Sequence, residues 1–263
     1  MTTSIAFDRA ADYYDQTRGY PAGEEKTVAS ILVQAGNLTA NSRVLEIGVG
    51  TGRIALPVAP LVGSYFGLDL SRPMMNKLRA KQNGESIYLI EADATKLPFP
   101  DKSFDGAIVV HVFHLIPSWR DALAELGRVL RPDAKLIHCW SQDEGNDVFR
   151  PLWDAWNAAI GEKAEKISGS PWREKPDFLG DEGWQPTGEP LSHSYPTQTS
   201  LKQFFDLLRG RIWSSCWRYS DEELARGMAA MEALVPSTFA NPEAPIHRTN
   251  VVYARGYLPP SSQ

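Results

Sequence analysis

Val44-Leu45-Glu46-Ile47 is a short, mostly apolar run that leads directly into Gly48-Val49-Gly50-Thr51-Gly52, and no other junction restricts the fold of this chain as much. Glycine lacks a Cβ and tolerates positive φ, so alternating glycines let the backbone reverse sharply and let a ligand lie directly against it. A buried strand, a glycine-rich turn and a helix from about Arg53 into Pro60 open a βαβ unit. In open parallel sheets ligands bind at the carboxyl edge of the strands, which is where this loop falls. Taken alone, a turn with several glycines is equally compatible with an ordinary reversal.

The flanking sequence extends the alternation of strands and helices. Upstream, Phe7, Ala10, Ala11 and Tyr14 stand at helical spacing and predict a helix from Phe7 to Thr17, with a second from Gly23 to Ala35. The predicted strands are Arg43–Ile47, Ser64–Leu68 ending at Asp69, Ile87–Glu91, the continuously apolar Phe104–Val110, and Lys135–Trp140. Ser71 caps a helix that has Pro73 near its start and runs to about Lys81. Another spans Ser118 to Leu130 and stops near Pro132. Beyond Trp140 the alternation loosens, and the stretch to about Gly188 reads as an insertion with a helical patch from Phe149 to Ile160. A strand near Glu189–Tyr195, helices near Leu201–Leu208 and Asp221–Leu234, and a last strand near Thr249–Tyr257 follow.

Composition excludes several functional classes. With 43% hydrophobic and 22% charged residues the 263-residue chain is globular. Its net charge of -5, without a cluster of lysines and arginines, lacks the footprint that binding a phosphate backbone needs, so nucleic acid is not expected as a partner. Cys139 and Cys216 are far apart and stand in no metal-ligand spacing, so neither a metal site nor a disulfide framework is expected. The polar N-terminus and the lack of any apolar run of about 18 residues point to a soluble, cytoplasmic protein with no membrane partner. Nothing in the sequence sets the oligomeric state.

The dinucleotide fingerprint GxGxxG, counted from Gly48, requires a glycine where this chain has Arg53. Glu46 also adds a negative charge that would repel a pyrophosphate, and a cofactor with a cationic part fits better. A nicotinamide-dependent oxidoreductase is thereby disfavoured but stays open as an alternative.

Val44 to Gly52 resembles the first motif of class I S-adenosylmethionine-dependent methyltransferases. GLDLSRPMMNKLRAK follows where that family has its second-strand acid. IEADATKLPFPDKSFDGAIVVHVFHLIP and LGRVLRPDAKLI are similar to the fourth- and fifth-strand motifs of the type 11 group, which includes quinone-biosynthesis enzymes. The resemblance covers roughly Val44 to Trp140. It implies a Rossmann-like, seven-stranded, mostly parallel sheet with an antiparallel last strand, N-terminal helices and a helical cap. It divides a single domain into an N-terminal lid (1–40), a cofactor-binding core (41–140), a variable substrate-binding cap (141–245), and the last strand and tail (246–263).

The same resemblance implies a set of contacts to S-adenosylmethionine and its product S-adenosylhomocysteine. Gly48, Gly50 and Gly52 approach the methionine part, and Glu46 orders the loop or the amino group. Asp69 holds the ribose hydroxyls, Met74 packs on adenine and Asp93 holds the adenine amino group; Leu70, Ala94 and His111 complete the set. Tyr13, Tyr14 and Arg18 lie in a leading segment similar to one that closes over the cofactor. Arg18 would pair with the methionine carboxylate, or be a solvated arginine at a helix end.

Methyl transfer from a sulfonium requires alignment and exclusion of water more than a dedicated catalytic group. Where the acceptor is a hydroxyl or a ring carbon a base helps, and His111 and His114, just after the fourth strand, are the candidates. Both fit a structural role as well; His138, His193 and His247 are read as structural. The sequence VVHVFHLI lacks the (N/D)PPY-like motif of amino-methylating enzymes that act on adenine or glutamine. Trp153, Trp156, Trp172, Trp184, Trp213 and Trp217 follow the fifth strand, as an aromatic cap over a small apolar or aromatic acceptor or as the core of the inserted helices. A methyltransferase acting on protein or, against the lack of a basic face, on RNA, and a catalytically silent S-adenosylmethionine-binding partner protein are the remaining alternatives.

Overall fold

The computed structural model describes residues 6–144, 146–161, 175 and 177–260, with only the backbone at 146 and 147. The described residues fall into two compact units, one within 1–141, 166–193 and 252–263, the other within 142–165 and 194–251.

A 3-10 turn at Asp8–Ala10 and α1 (Tyr14–Arg18) lead to α2 (Glu24–Gly36), β1 (Arg43–Ile47), α3 (Ala55–Val58), β2 (Ser64–Asp69), α4 (Arg72–Lys81), β3 (Ile87–Glu91) and β4 (Phe104–Val110). Next come α5 (Trp119–Val129), β5 (Leu130–Glu144), α6 (Arg150–Ile160), β6 (Gln185–Pro186), β7 (Leu191–Thr199), α7 (Leu201–Arg209), α8 (Asp221–Thr238) and β8 (Ile246–Leu258). The strands form one mixed sheet in the order β3-β2-β1-β4-β5-β8-β6, with β7 paired to β8. β1 pairs in parallel with β2 and β4, setting Ile47 level with Leu68 and Val109. β6 runs antiparallel to β8. This is the Rossmann-like α/β class expected; the described residues hold eight strands rather than seven because the two-residue β6 adds an edge.

Sequence order reverses between β1 and β4, and a crevice at the carboxyl ends of strands forms at such a switch point. In the first unit, α5 places Trp119, Ala122, Leu123 and Leu126 on one stripe at helical spacing, and these pack with Leu45, Ile47, Phe104 and Val109. Ser71 caps α4, its hydroxyl accepting from the Met74 amide at 3.3 Å.

Several elements differ from the sequence reading: β7 runs on to Thr199, α8 runs on to Thr238 and β8 starts at Ile246. The first predicted helix is broken: the amides of Ala10, Ala11 and Tyr13 bond three residues back, and an α-helical bond appears only at Thr17. The helix after the glycine loop is one turn long and continues as a 3-10 turn, because Pro57 and Pro60 have no N–H for the ladder. β5 begins five residues early, where Leu130 pairs with Phe104, and runs on to Glu144.

The second unit packs Phe149, Leu152, Trp156, Phe204, Leu208, Met228 and Met231 into its own core. Trp153 and Trp213 flank it, whereas Trp184 belongs to the first unit's core; Trp172 lies outside the described residues. Gly227 lets α8 press on α6: a Cβ there would sit 2.4 Å from Cε3 of Trp156, a fully buried indole. Gly227→Ala is expected to cost about 1–3 kcal/mol through this overpacking. Differential scanning calorimetry would show it as a lowered unfolding midpoint, in spite of the better helix propensity of alanine.

Candidate cofactor and active site

The site is built from the level carboxyl ends of β1, β2 and β4. All three motif glycines take positive φ, +73° at Gly48, +53° at Gly50 and +86° at Gly52, but the missing side chains serve different ends. At Gly52 a Cβ would meet Leu78 Cγ at 2.6 Å, so that glycine lets α4 approach the loop. At Gly50 a Cβ would find nothing nearer than Met74 Cε, at 3.4 Å, and the Gly48 carbonyl at 3.9 Å. Gly50 is thus the glycine whose bare face leaves room for a ligand, with Met74 at its margin.

Asp69 ends β2 and fastens this loop. Its carboxylate accepts from the Gly50 amide and from the Ser71 amide, both at 2.8 Å. Burial raises its pKa, while the bonds from Ser71, Gly50 and Leu70 oppose the rise. Even with these backbone donors a carboxylate keeps acceptor capacity to spare, so the same group can still receive hydroxyls. Asp93, past β3, accepts from the Thr95 amide and hydroxyl at 2.9 Å each, a local turn that sets its side chain; Ala94 beside it is buried.

The loop beyond Asp93 is held by Arg128 of α5. Its guanidinium donates to the carbonyls of Leu97 and Phe99, at 3.1 and 2.8 Å, and to the carboxylates of Glu125 and Asp101. Glu125 in turn accepts from the Leu97 amide at 2.7 Å, and the hydrogen bond from Arg128 lowers its pKa.

Glu46 is fully buried and accepts from the Tyr65 hydroxyl at 2.7 Å. Burial pushes its carboxyl up to about 8, against the pull of that bond and of the Arg53 charge. A carboxyl so shifted is neutral near pH 7, so the repulsion of a pyrophosphate argued from its charge loses force; the absence of a glycine at position 53 does not. Its bond goes to β2 rather than to the glycine loop.

His111 follows β4 in the left-handed region, with φ of +50°, a conformation costing a residue of this kind about 1–3 kcal/mol. Its Nε2 lies 3.1 Å from the Ser141 hydroxyl at the end of the first unit. Burial, then the charges of Arg53, His114, His138 and Arg18, hold its pKa well below the ordinary 6.5. His114 stands on the 3-10 turn Phe113–Leu115, half-buried. His138 is buried against Trp140 and Phe178, and His193 bonds Glu24; both occupy structural settings.

The N-terminal segment reaches this region by contacts that the sequence reading did not single out. Asp15 accepts from the Thr51 hydroxyl within the glycine loop at 2.5 Å and pairs with Lys81 at 2.7 Å. Arg53 donates to the Arg18 carbonyl at 3.1 Å and lies 4.9 Å from the Tyr20 ring centre. No local signal marks the pairing of Asp12 with Lys77 or of Asp15 with Lys81, because only the fold brings these residues together.

The raised pKa of Glu46 makes a pH prediction. Between its ordinary 4.5 and about 8 the folded state binds the proton more tightly than the unfolded chain, so stability from this group is full below that window and lost as pH rises through it. Glu46→Gln cannot ionise. Melting curves from about pH 5 to 9 should show the variant gaining on the native protein as pH rises.

Comparison with known proteins agrees with this geometry. The YcgJ protein of Bacillus subtilis, named an uncharacterized methyltransferase, is 30% identical over 155 residues, 57% of this chain and 60% of that protein. Its crystal structure, 18% identical, has a TM-score of 0.59 over 90% of this chain and 99% of that one. A fatty-acid O-methyltransferase of Mycolicibacterium smegmatis is 34% identical over 132 residues, 47% of this chain and 48% of that protein. A demethylmenaquinone methyltransferase of Lactiplantibacillus plantarum is 28% identical over 160 residues, 56% of this chain and 65% of that protein. The chain therefore spans about half to two thirds of the length of these relatives. Residues 45–138, from β1 to β5, match the family model of the methyltransferase domain, and the fold is shared with the YcgJ structure.

Proposed function

We propose that the chain is an enzyme that transfers the methyl group of S-adenosylmethionine to an oxygen, carbon or nitrogen of a small apolar or aromatic acceptor. The observation that carries this reading is the bond between Asp69 and Gly50, which ties an acid to the bare face of a glycine loop at the switch point of the sheet. The donor set suits the cofactor: Asp69 for ribose hydroxyls, Asp93 for the adenine amino group, and Leu70, Met74 and Ala94 for the apolar ring faces. Tyr14 and Arg18 would meet the methionine end. When bound, the cofactor supplies an electrophilic methyl carbon; the chain's task is to orient the acceptor and exclude water.

The two relatives named for fatty acids and demethylmenaquinone act on apolar acceptors, which supports the acceptor class proposed. No helix among the described residues is long and apolar enough to cross a membrane. The reading places the enzyme in the cytoplasm, working on a small molecule and not on nucleic acid. It is tested first by calorimetric titration with S-adenosylmethionine, S-adenosylhomocysteine and NAD(P)H. The first two should bind, and Asp69→Ala should lose them; binding of NAD(P)H alone would establish the oxidoreductase instead. Cofactor binding without turnover on any acceptor would mark a silent module.

His111 and His114 remain the proposed bases, with different weights. His111 stays neutral because burial and nearby cations oppose its protonation, so it suits orienting the acceptor; His114 takes the proton where the acceptor must lose one. With a panel of fatty acids and quinols, His114→Ala should lower kcat about a hundredfold, whereas His111→Ala should act mainly on KM. An unchanged kcat in His114→Ala removes the base assignment.

A further inference from the structure

Three attachments of the N-terminal segment fall at equal intervals along the chain. Asp12 pairs with Lys77 at 2.8 Å, Asp15 with Lys81 at 2.7 Å and with the Thr51 hydroxyl at 2.5 Å, and the Arg18 carbonyl receives Arg53. Positions 12, 15 and 18 lie three apart, with 15 and 18 on α1, and the two acid side chains both reach α4. Lys77 and Lys81 lie four apart on α4 and form the matching row.

The three attachments are not equivalent. The Asp12 side chain is 91% exposed, and a pair of that kind contributes little. Asp15 differs because one carboxylate oxygen meets Thr51, itself only 1% exposed and placed between Gly50 and Gly52. The other meets an ammonium that offsets its charge. A charged acceptor on a buried hydroxyl fixes both partners more firmly than an exposed ion pair does.

We propose that Asp15 is a positioning residue: through Thr51 and Lys81 it fastens the N-terminal segment against the glycine loop and sets how tightly, and for how long, the cofactor is held there. This rests on the cofactor reading given above. Breaking the fastening leaves every group assigned to ribose and adenine in place, so its signature is faster cofactor release rather than loss of the site. Because one arm is an ion pair at the surface, the native affinity also weakens with salt.

The test uses the full-length protein and S-adenosylhomocysteine as the probe. Affinity and dissociation rate are measured for the native chain, Asp15→Ala and Lys81→Met at low and high salt, and limited proteolysis follows cleavage before residue 20. Asp15→Ala is expected to weaken binding about tenfold, mostly through faster release. Saturating probe should protect the segment in the native chain and fail to do so in the variant. Lys81→Met should weaken binding less and remove much of the salt dependence, while Lys202→Met, which breaks an exposed pair in the second unit, should match the native chain. Native binding together with unchanged affinity, release and protection in Asp15→Ala overturns the fastening and leaves the cofactor reading standing. Failure of the native chain to bind the probe overturns the cofactor reading itself.

Discussion

A single partly buried carboxylate organises the carboxyl edge of this sheet. Asp69 terminates β2 and accepts at once from the loop after β1 and from the residue that caps α4. The strand register sets β1 and β2 level, and the side chain converts that alignment into a fixed loop. An acid in so apolar a setting is unfavourable unless its lone pairs are used, and backbone amides use them. Without it, Gly50 would lose the contact that fixes its amide and with it the direction of its open face.

A second theme is the control of charge behind the loop. Glu46, Cys139 and His111 are all pushed toward their neutral forms by burial, and Arg53 lowers all three pKa values. Burial therefore outweighs Arg53 for the two acids, Glu46 and Cys139, and acts with it at His111. Arg53 occupies the position that excludes the dinucleotide fingerprint, and it also connects to the Arg18 carbonyl and the Tyr20 ring. One departure from a motif thus marks a residue that joins the core of the first unit to its N-terminal segment.

Much of this was legible in the sequence where periodicity or turn chemistry was strong. β1, β3 and β4 begin and end at the residues expected, because each is a short apolar run bounded by polar or glycine residues. The Ser71 cap and the glycine loop followed from the same local rules. Legibility failed where proline cut a ladder, as in α3, and where strand pairing extended an element past its apolar run, as in β5. Among site residues, Asp69 and Gly50 could be singled out by motif, but their bond to each other could not, since it depends on register. Asp15, Thr51 and Ser141 escaped notice because their roles come from contacts across 30 or more positions. The uncharged state of Glu46 was hidden for a related reason: burial, not sequence neighbours, decides it.

The grip of Arg128 on the loop after Asp93 has a consequence for how that loop can vary. At Leu97 and Phe99 the guanidinium holds main-chain carbonyls, and Glu125 holds a main-chain amide. These bonds are blind to which side chain each position carries, although the buried Leu97 also packs in the core. The path of the loop is thus written into one helix rather than into the loop, and its outward residues can be exchanged while the course of the chain next to the site is preserved. Lysine could not take over this task, because one ammonium cannot span several fixed acceptors as a planar fork does.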